Sequence, residues 1–269
     1  MSELRLMCVL AHPDDESLGT GGTLAKYAAE GVHTFLVTAT RGERGRFGNG
    51  GARPSDEVVG QTREAELHAA AKELGVKDVA ILGYPDGALD SVDPSIAQEA
   101  IASHLRRVKP HVVVTFGPDG AYGHPDHIAI CQLTTAAAVR VARLRHGDGK
   151  HADGEHVVSK LYYIAWGAQA WAAYEAALKK LTSTVDGVER QVIPFPDWAI
   201  TTRIDTNAVW PTVLRAVQCH RTQMSIYKNL EALPTEHQEV LWGRQEFYRA
   251  FSLVNGGRTR EEDLFEGLR

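Results

Sequence analysis

The chain has 269 residues, of which 43% are hydrophobic and 23% charged, with a formal net charge of −5 and a pI near 6.2. That length holds one large or two small domains with ample core, and the composition is ordinary for a soluble globular protein. The acidic balance argues against a broad nucleic-acid footprint, and no run approaches the ~20 apolar residues of a membrane span.

The N-terminus, MSELRLMCVL, enters a strand at once and lacks the charged head, apolar run and cleavage site of a signal peptide. The three cysteines, Cys8, Cys131 and Cys219, are far apart and show no CxxC spacing. They read as reduced thiols of a cytoplasmic protein.

Residues 4 to 10, LRLMCVL, form a short apolar run that predicts a buried strand. A helix follows from about Ser17 to Gly31, where the glycine is a fitting C-terminal cap. HTFLVTAT (33 to 40) is β-branched and strand-like. Residues 41 to 56, RGERGRFGNGGARPSD, read as a flexible glycine-rich loop. A helix over about Glu57 to Leu74 ends at Gly75, VAIL (79 to 82) is a strand, and Asp93-Pro94 opens a helix that runs to about Lys109. HVVVTF (111 to 116) is a further strand, followed by the loop GPDGAYGHPDH and a helix from about Asp126 to Leu144.

Four such alternations predict an α/β fold: a Rossmann-like, mostly parallel sheet with helices on both faces. Residues 145 to 156 form a polar, glycine-containing insert. Beyond it KLYYIAW (160 to 166) is a strand, then helix (168 to 181), strand (200 to 205), helix (207 to 220) and strand (245 to 254) follow. We expect a single domain over 1–269, with a core at about 1–145 and a small C-terminal elaboration at about 157–269.

Ligands of open parallel sheets bind at the carboxyl ends of strands. AHPDDE and AYGHPDH fall at two such ends and together supply His12, Asp14, Asp15, Glu16, His124, Asp126 and His127. Three carboxylates in a row are costly unless something positive lies among them. Zinc takes imidazole nitrogen and carboxylate oxygen, and catalytic sites use three protein ligands. His12 and Asp15 at i, i+3 can meet on one side of a turn, and one histidine of HPDH completes the set. A carboxylate left off the metal is then free to act as general base. The rival dinucleotide reading of GTGG (19 to 22) fails on Leu24, where the fingerprint needs a small residue, and on the acidic cluster before it.

AHPDDE and HPDH, with TRGERG (40 to 45), TREAEL (62 to 67), YPDG (84 to 87) and CHRTQ (219 to 223), resemble the LmbE-like, or PIG-L, family of zinc-dependent N-acetylglucosaminyl deacetylases. The resemblance covers most of the chain. It implies a zinc-dependent hydrolase that removes an acyl group from the amide nitrogen of an N-acetylglucosamine-type substrate. His12, Asp15 and His127 would bind the metal. Asp14 would be the general base towards zinc-bound water. His124 would be the cation that stabilises the oxyanion or protonates the leaving amine, and Asp126 would accept a hydrogen bond from His124.

Arg63, Asp86 and Tyr122 are candidates for substrate contact, each with a plainer alternative: a salt bridge, a turn residue and a loop cover. Glu16 is either a partner of a ligand histidine or a helix-start carboxylate. Arg41 and Glu43 line the crevice or belong to the loop. His220 and Arg221 border the site or cap a helix. His104, His111, His146, His151, His156 and His237 have no evident partner in the sequence.

Iron(II) prefers the same ligands as zinc. The partner is a small N-acyl amino sugar or glycoconjugate, with no nucleic acid and no membrane span; a homo-oligomer is left open. An amidase on a mycothiol-like thiol conjugate would use the same residues. A non-catalytic sugar- or nucleotide-binding domain would not need Asp14.

Overall fold

The computed structural model describes residues 3–48, 52–142, 156–178, 182–185, 187–191, 193–257 and 259–269. Its first half runs β1 (Arg5–Leu10), α1 (Asp15–Ala29), β2 (His33–Thr40), α2 (Asp56–Glu73), β3 (Asp78–Tyr84), α3 (Pro94–Val108), β4 (Val112–Thr115), the irregular turn α4 (Gly120–Gly123) and α5 (Pro125–Ala142). The second half runs β5 (Lys160–Ile164), α6 (Ala168–Leu178), β6 (Thr182–Val185), β7 (Val188–Gln191), β8 (Thr202–Asp205), α7 (Trp210–Cys219), α8 (Met224–Glu231), α9 (Thr235–Trp242) and β9 (Arg244–Ser252).

Seven strands form one sheet in the order β3-β2-β1-β4-β5-β9-β8. The five from β3 to β5 are parallel; β9 runs antiparallel to both β5 and β8. The central strands are apolar throughout because helices cover both faces: β4 is buried at every residue and β1 at all but its first. Helices α1, α2 and α7 pack together, and α3 packs on α5. Asp93 caps α3 by accepting from the Ser95 and Ile96 amides, with Pro94 in the first turn.

Two features position the site. The chain steps outward from β1 to β2 to β3 and then returns to place β4 on the other side of β1. The switch point therefore lies between β1 and β4, which pair in parallel from Leu6–Val112 to Cys8–Val114, so their two loops open into one crevice. The second feature is the GTGG run, which lies inside α1 as a contact surface. A Cβ on Gly22 would come 2.8 Å from Thr206 Cβ, and one on Gly21 2.9 Å from Val213 Cγ1. These glycines let α1 press against α7 and the turn before it, which draws the second half over the crevice.

The expected helices and strands of the first half are present with boundaries shifted by one or two residues. The hairpin β6–β7 and the short helices α8 and α9 were not anticipated. β7, VERQ, is exposed at every residue, so it carries no alternation that sequence reasoning could detect. Most of the insert at 145–156, with His146 and His151, and the expected helix end at 179–181 lie outside the described residues. No described helix is long and apolar enough to cross a membrane.

Candidate active site

The crevice begins where β1 ends. Asp14 precedes α1 in a left-handed conformation, φ 106° and ψ −26°, which is strained for a residue with a side chain. Glu16 holds that turn: its Oε2 accepts the Asp14 amide at 2.9 Å. Its Oε1 accepts from Ser17 Oγ at 2.6 Å and from His220 Nε2 at 2.7 Å. Glu16 and His220 are both fully buried. Burial opposes the charge on each, but their mutual attraction outweighs it, lowering the Glu16 pKa and raising that of His220. Glu16 thus belongs to the first turn of α1 and partners a histidine that caps α7.

His12, Asp15 and His127 meet beside this turn. His12 Nδ1 lies 3.2 Å from His127 Nε2 and 3.6 Å from Asp15 Oδ2, and His127 Nε2 lies 3.5 Å from Asp15 Oδ1. Ligands about 2.1 Å from a tetrahedral ion stand about 3.4 Å apart, close to the separation of the two histidine nitrogens and of His127 Nε2 from Asp15 Oδ1; Asp15 meets His12 through its other oxygen. The far sides of the groups are also held. His12 Nε2 faces Asp126 Oδ2 at 3.0 Å and Asp86 Oδ1 at 3.2 Å, and His127 Nδ1 faces the Gly120 carbonyl at 3.2 Å. Asp15 Oδ2 accepts the His12 amide at 2.8 Å. Phe116 stacks on the His127 ring, 3.8 Å between centroids.

The electrostatics point the same way. Burial disfavours a charged His12, but the Asp126, Asp15 and Asp86 carboxylates overcome it and raise its pKa well above the ordinary value. Burial works against ionised Asp15, yet the facing histidines hold its pKa below the usual range. His127 is pushed down to about 3 by burial, reinforced by the nearby His12 charge. The positive charge that these carboxylates favour is carried by the His12 imidazole. Among the described residues two groupings, His12–His124–His127 and His12–Asp86–Asp126, bring one ligand atom from each residue within 4.8 Å of the others. The first competes poorly because His124 Nδ1 already accepts the Asp126 amide at 3.2 Å. The second uses His12 Nε2, the nitrogen whose hydrogen bond to a carboxylate commonly orients a ligand histidine.

Asp14 lies beside the triad. Its Oδ2 accepts from Arg63 Nη2 at 2.9 Å and from the Tyr227 hydroxyl at 2.7 Å; among the described residues no hydrogen bond engages Oδ1. Burial raises the Asp14 pKa, Arg63 opposes the shift and Asp15 adds to it. Arg63 itself is 4% exposed and donates to the carbonyls of Gly42 and Pro13 at 2.7 and 2.5 Å. It sits behind Asp14, with Nη1 and Nη2 committed to Gly42, Pro13 and Asp14 rather than free for the substrate contact expected from the sequence. Gly42, at φ +63°, and Gly45 give the guanidinium its room: a Cβ on either would fall inside contact distance of Nη1.

Two expected roles change. Asp126 does not accept from His124. Its carboxylate is turned inward to His12 and to the amides of Gly87 (2.7 Å) and Leu89 (3.0 Å), because α5 starts between the two histidines and directs it under the β3–α3 loop. His124 therefore has no hydrogen bond to the Asp126 carboxylate that would hold it as a cation. Burial and the neighbouring His12 charge lower its pKa, and accepting the Asp126 amide on Nδ1 places the proton of the neutral ring on Nε2.

Asp86 is 7% exposed and bridges His12 and the Arg44 amide, the latter at 2.9 Å. Glu43 accepts the Asp86 amide at 2.8 Å. Tyr122 lines the cavity with its ring edge-on to His124 and His127. Arg41 turns away to Glu64, at 3.1 Å, and Arg221 is exposed.

Sequence reasoning missed Tyr227, which reaches Asp14 from a helix more than two hundred positions away. It also missed Glu66, which accepts from the Thr222 amide and hydroxyl at 2.8 and 2.7 Å and so ties TREAEL to CHRTQ. Asp14, Asp15 and His127 open onto a cavity of about 490 Å³ between α1, α6 and α8.

Imidazoles and carboxylates gathered where β1 and β4 meet, beside the Asp14 carboxylate, make this crevice a candidate metal-assisted active site on an open α/β sheet. The family model for PIG-L, GlcNAc-PI de-N-acetylase, matches residues 7–138. A 1D-myo-inositol 2-acetamido-2-deoxy-alpha-D-glucopyranoside deacetylase of Streptomyces griseus is 36% identical, over 98% of this chain and 89% of its own. The chain belongs to the PIG-L, or LmbE-like, family and is a deacetylase-type hydrolase.

Among solved structures, the N,N'-diacetylchitobiose deacetylase of Pyrococcus horikoshii superposes with a TM-score of 0.64 at 19% identity, over 91% of this chain and 83% of that one. GalB, the 4-carboxy-2-hydroxymuconate hydratase of Pseudomonas putida, gives the same TM-score and identity over 94% and 99%. A deacetylase and a hydratase share the fold equally, so the fold alone does not choose the reaction.

Proposed function

We propose that the chain is a zinc-dependent deacetylase that hydrolyses the N-acyl amide of an N-acetylglucosamine-type substrate. The observation that carries this reading is the convergence of His12 Nδ1, Asp15 and His127 Nε2 beside an Asp14 carboxylate that the triad does not need. His12, Asp15 and His127 would hold the ion. When bound, zinc supplies a Lewis acid that polarises the amide carbonyl and lowers the pKa of a water towards ~7.

The chain's own residues do the rest. Arg63 and Tyr227 fix Oδ2 of Asp14 and leave Oδ1 as the base that takes a proton from the attacking water. The neutral His124 ring donates its Nε2 hydrogen to the developing oxyanion, a role that needs no charge. Asp14, now protonated, returns its proton to the departing amine, so the proton balance closes within one residue. Asp126 and Asp86 orient His12 through Nε2.

The relatives' substrate, the N-acetylglucosaminide of inositol, is the first we would test. Two imidazoles and one carboxylate also suit iron(II), which metal analysis of the purified protein separates from zinc. A cytoplasmic setting belongs to the same reading, supported by the free thiols of Cys8, Cys131 and Cys219.

The test is release of free amine from a panel of N-acyl glucosaminides, including the inositol glycoside, by zinc-loaded protein and by Asp14→Asn. Release that needs zinc and falls ~10²–10⁴-fold in the variant, with metal content unchanged, is expected. Turnover that survives complete metal removal, or that Asp14→Asn leaves intact, would refute it.

A further inference from the structure

The cavity beside the triad is larger than an acetyl group needs, and most of its described wall is carbon. Leu18, Phe116, Trp166, Tyr174, Leu178 and Ile226 form its sides. The polar groups among them are turned away from it. The Tyr174 hydroxyl donates to the Leu18 carbonyl at 2.7 Å, the Tyr227 hydroxyl donates to Asp14 at 2.7 Å, and Asn229 Nδ2 donates to the Ala177 carbonyl at 3.0 Å. Away from the reacting groups, the Tyr122 hydroxyl, the Trp166 indole N–H, Arg46 and Thr182 are the remaining polar groups of the described lining, and Arg46 is exposed and shared with the open groove next to it.

A sugar hydroxyl pressed on the carbon surface of Leu18, Phe116, Leu178 and Ile226 would leave water without a replacement partner, at a cost of roughly tenfold in affinity for each group. A hydrocarbon group would lose nothing and would gain about fourfold for each methylene buried. Trp166 and Tyr174 stack on each other with ring centroids 4.9 Å apart, so part of this surface is a rigid aromatic wall.

We infer that this chamber is a subsite for an apolar substituent of the substrate, larger than acetyl and attached close to the scissile amide. This rests on the amide-hydrolase reading above and adds to it the class of group the enzyme selects. The substituent can enter from either side of the amide, as an alkanoyl chain on nitrogen or as an apolar aglycone on the sugar. The chemistry that recognises it is the same.

Two matched pairs separate these sources. N-hexanoylglucosamine is compared with N-acetylglucosamine, and the hexyl glycoside of N-acetylglucosamine with its methyl glycoside. Both kcat/KM and calorimetric Kd are measured on the zinc-loaded protein. The larger member of at least one pair is expected to be favoured at least tenfold. Ile226→Ser, which places a hydroxyl in the wall, is expected to cut that preference at least threefold.

Hydrolysis of the acetyl and methyl members with no preference in either pair would overturn the chamber and leave the deacetylase standing. Tenfold tighter binding of a hexyl member with no amine released from any compound would keep the chamber and overturn the deacetylase. Equal binding and no hydrolysis would overturn both.

Discussion

Asp126 lies two residues from His124, yet its carboxylate reaches His12 Nε2 at 3.0 Å and the backbone of the β3–α3 loop. The two possible roles have different consequences. A group that orients a metal ligand affects metal affinity, typically by 10–100-fold when lost, whereas a partner of His124 would affect the rate at full metal occupancy. Asp126→Asn is therefore expected to weaken zinc binding by about 10–100-fold in a competition titration with a chelator, and to recover much of its turnover at saturating metal.

Tyr227 is the other residue whose role came from folding. It shares Asp14 Oδ2 with Arg63 and lies on α8, in a stretch without a recognisable motif. Tyr227→Phe removes one hydroxyl and no carbon. We expect kcat to fall about tenfold, the size of one charge-assisted hydrogen bond, with metal content and unfolding midpoint unchanged. A variant with wild-type kcat would remove Tyr227 from the account of Asp14.

Among the elements, α1 carries two duties. Its first turn holds Asp14, Asp15 and Glu16, and its middle must sit close to the start of α7 for His220 to reach Glu16. The close approach explains the run of small residues. Gly22→Ala puts a methyl 2.8 Å from Thr206 Cβ, a contact that forces α1 and the segment before α7 apart. Overpacking of this kind costs about 1–3 kcal/mol against the ~1 kcal/mol that alanine gains in helix propensity, so the net loss is at most about 2 kcal/mol. Urea unfolding should show a net loss of about 1 kcal/mol, and kcat should fall with it because the Glu16–His220 contact spans the same interface. A Gly22→Ala protein as stable as wild type would show that α1 does not depend on that contact.

Across the whole molecule, the C-terminal segment locks the second half to the sheet. Glu261 is 1% exposed and accepts from Lys160 Nζ (2.6 Å), Asn255 (2.7 Å) and Arg249 (2.8 Å) on Oε1, and from Tyr162 (2.7 Å) and Thr202 (2.8 Å) on Oε2. Burial works against its ionisation, but these donors, Lys160 first, bring its pKa down to about 2 from 4.5. A depressed carboxylate contributes stability above its unfolded value and loses it as the pH falls through the folded one. The contribution is then complete above about pH 4.5 and disappears towards pH 2, on the order of 3 kcal/mol in all. Glu261→Gln should be less stable at neutral pH, since it leaves Lys160 buried without a counter-charge. It should also show a flatter loss of stability than wild type between pH 4.5 and pH 2.5. Parallel curves for the two proteins would assign the acid sensitivity elsewhere.

Periodicity marks LRLMCVL, HTFLVTAT and HVVVTF as interior strands because parallel strands covered on both faces must be apolar at every position. Local spacing likewise brings HPDD and HPDH to strand ends, where an open sheet binds its ligands. That much is written in the sequence, since it depends on neighbours a few residues apart. Strand order, the turn of Asp126 towards His12, the withdrawal of Arg63 behind Asp14 and the arrival of Tyr227 and His220 depend on contacts between positions as much as 213 apart. A side chain's partner is set by where the packed helices bring it, and only the tertiary structure decides that.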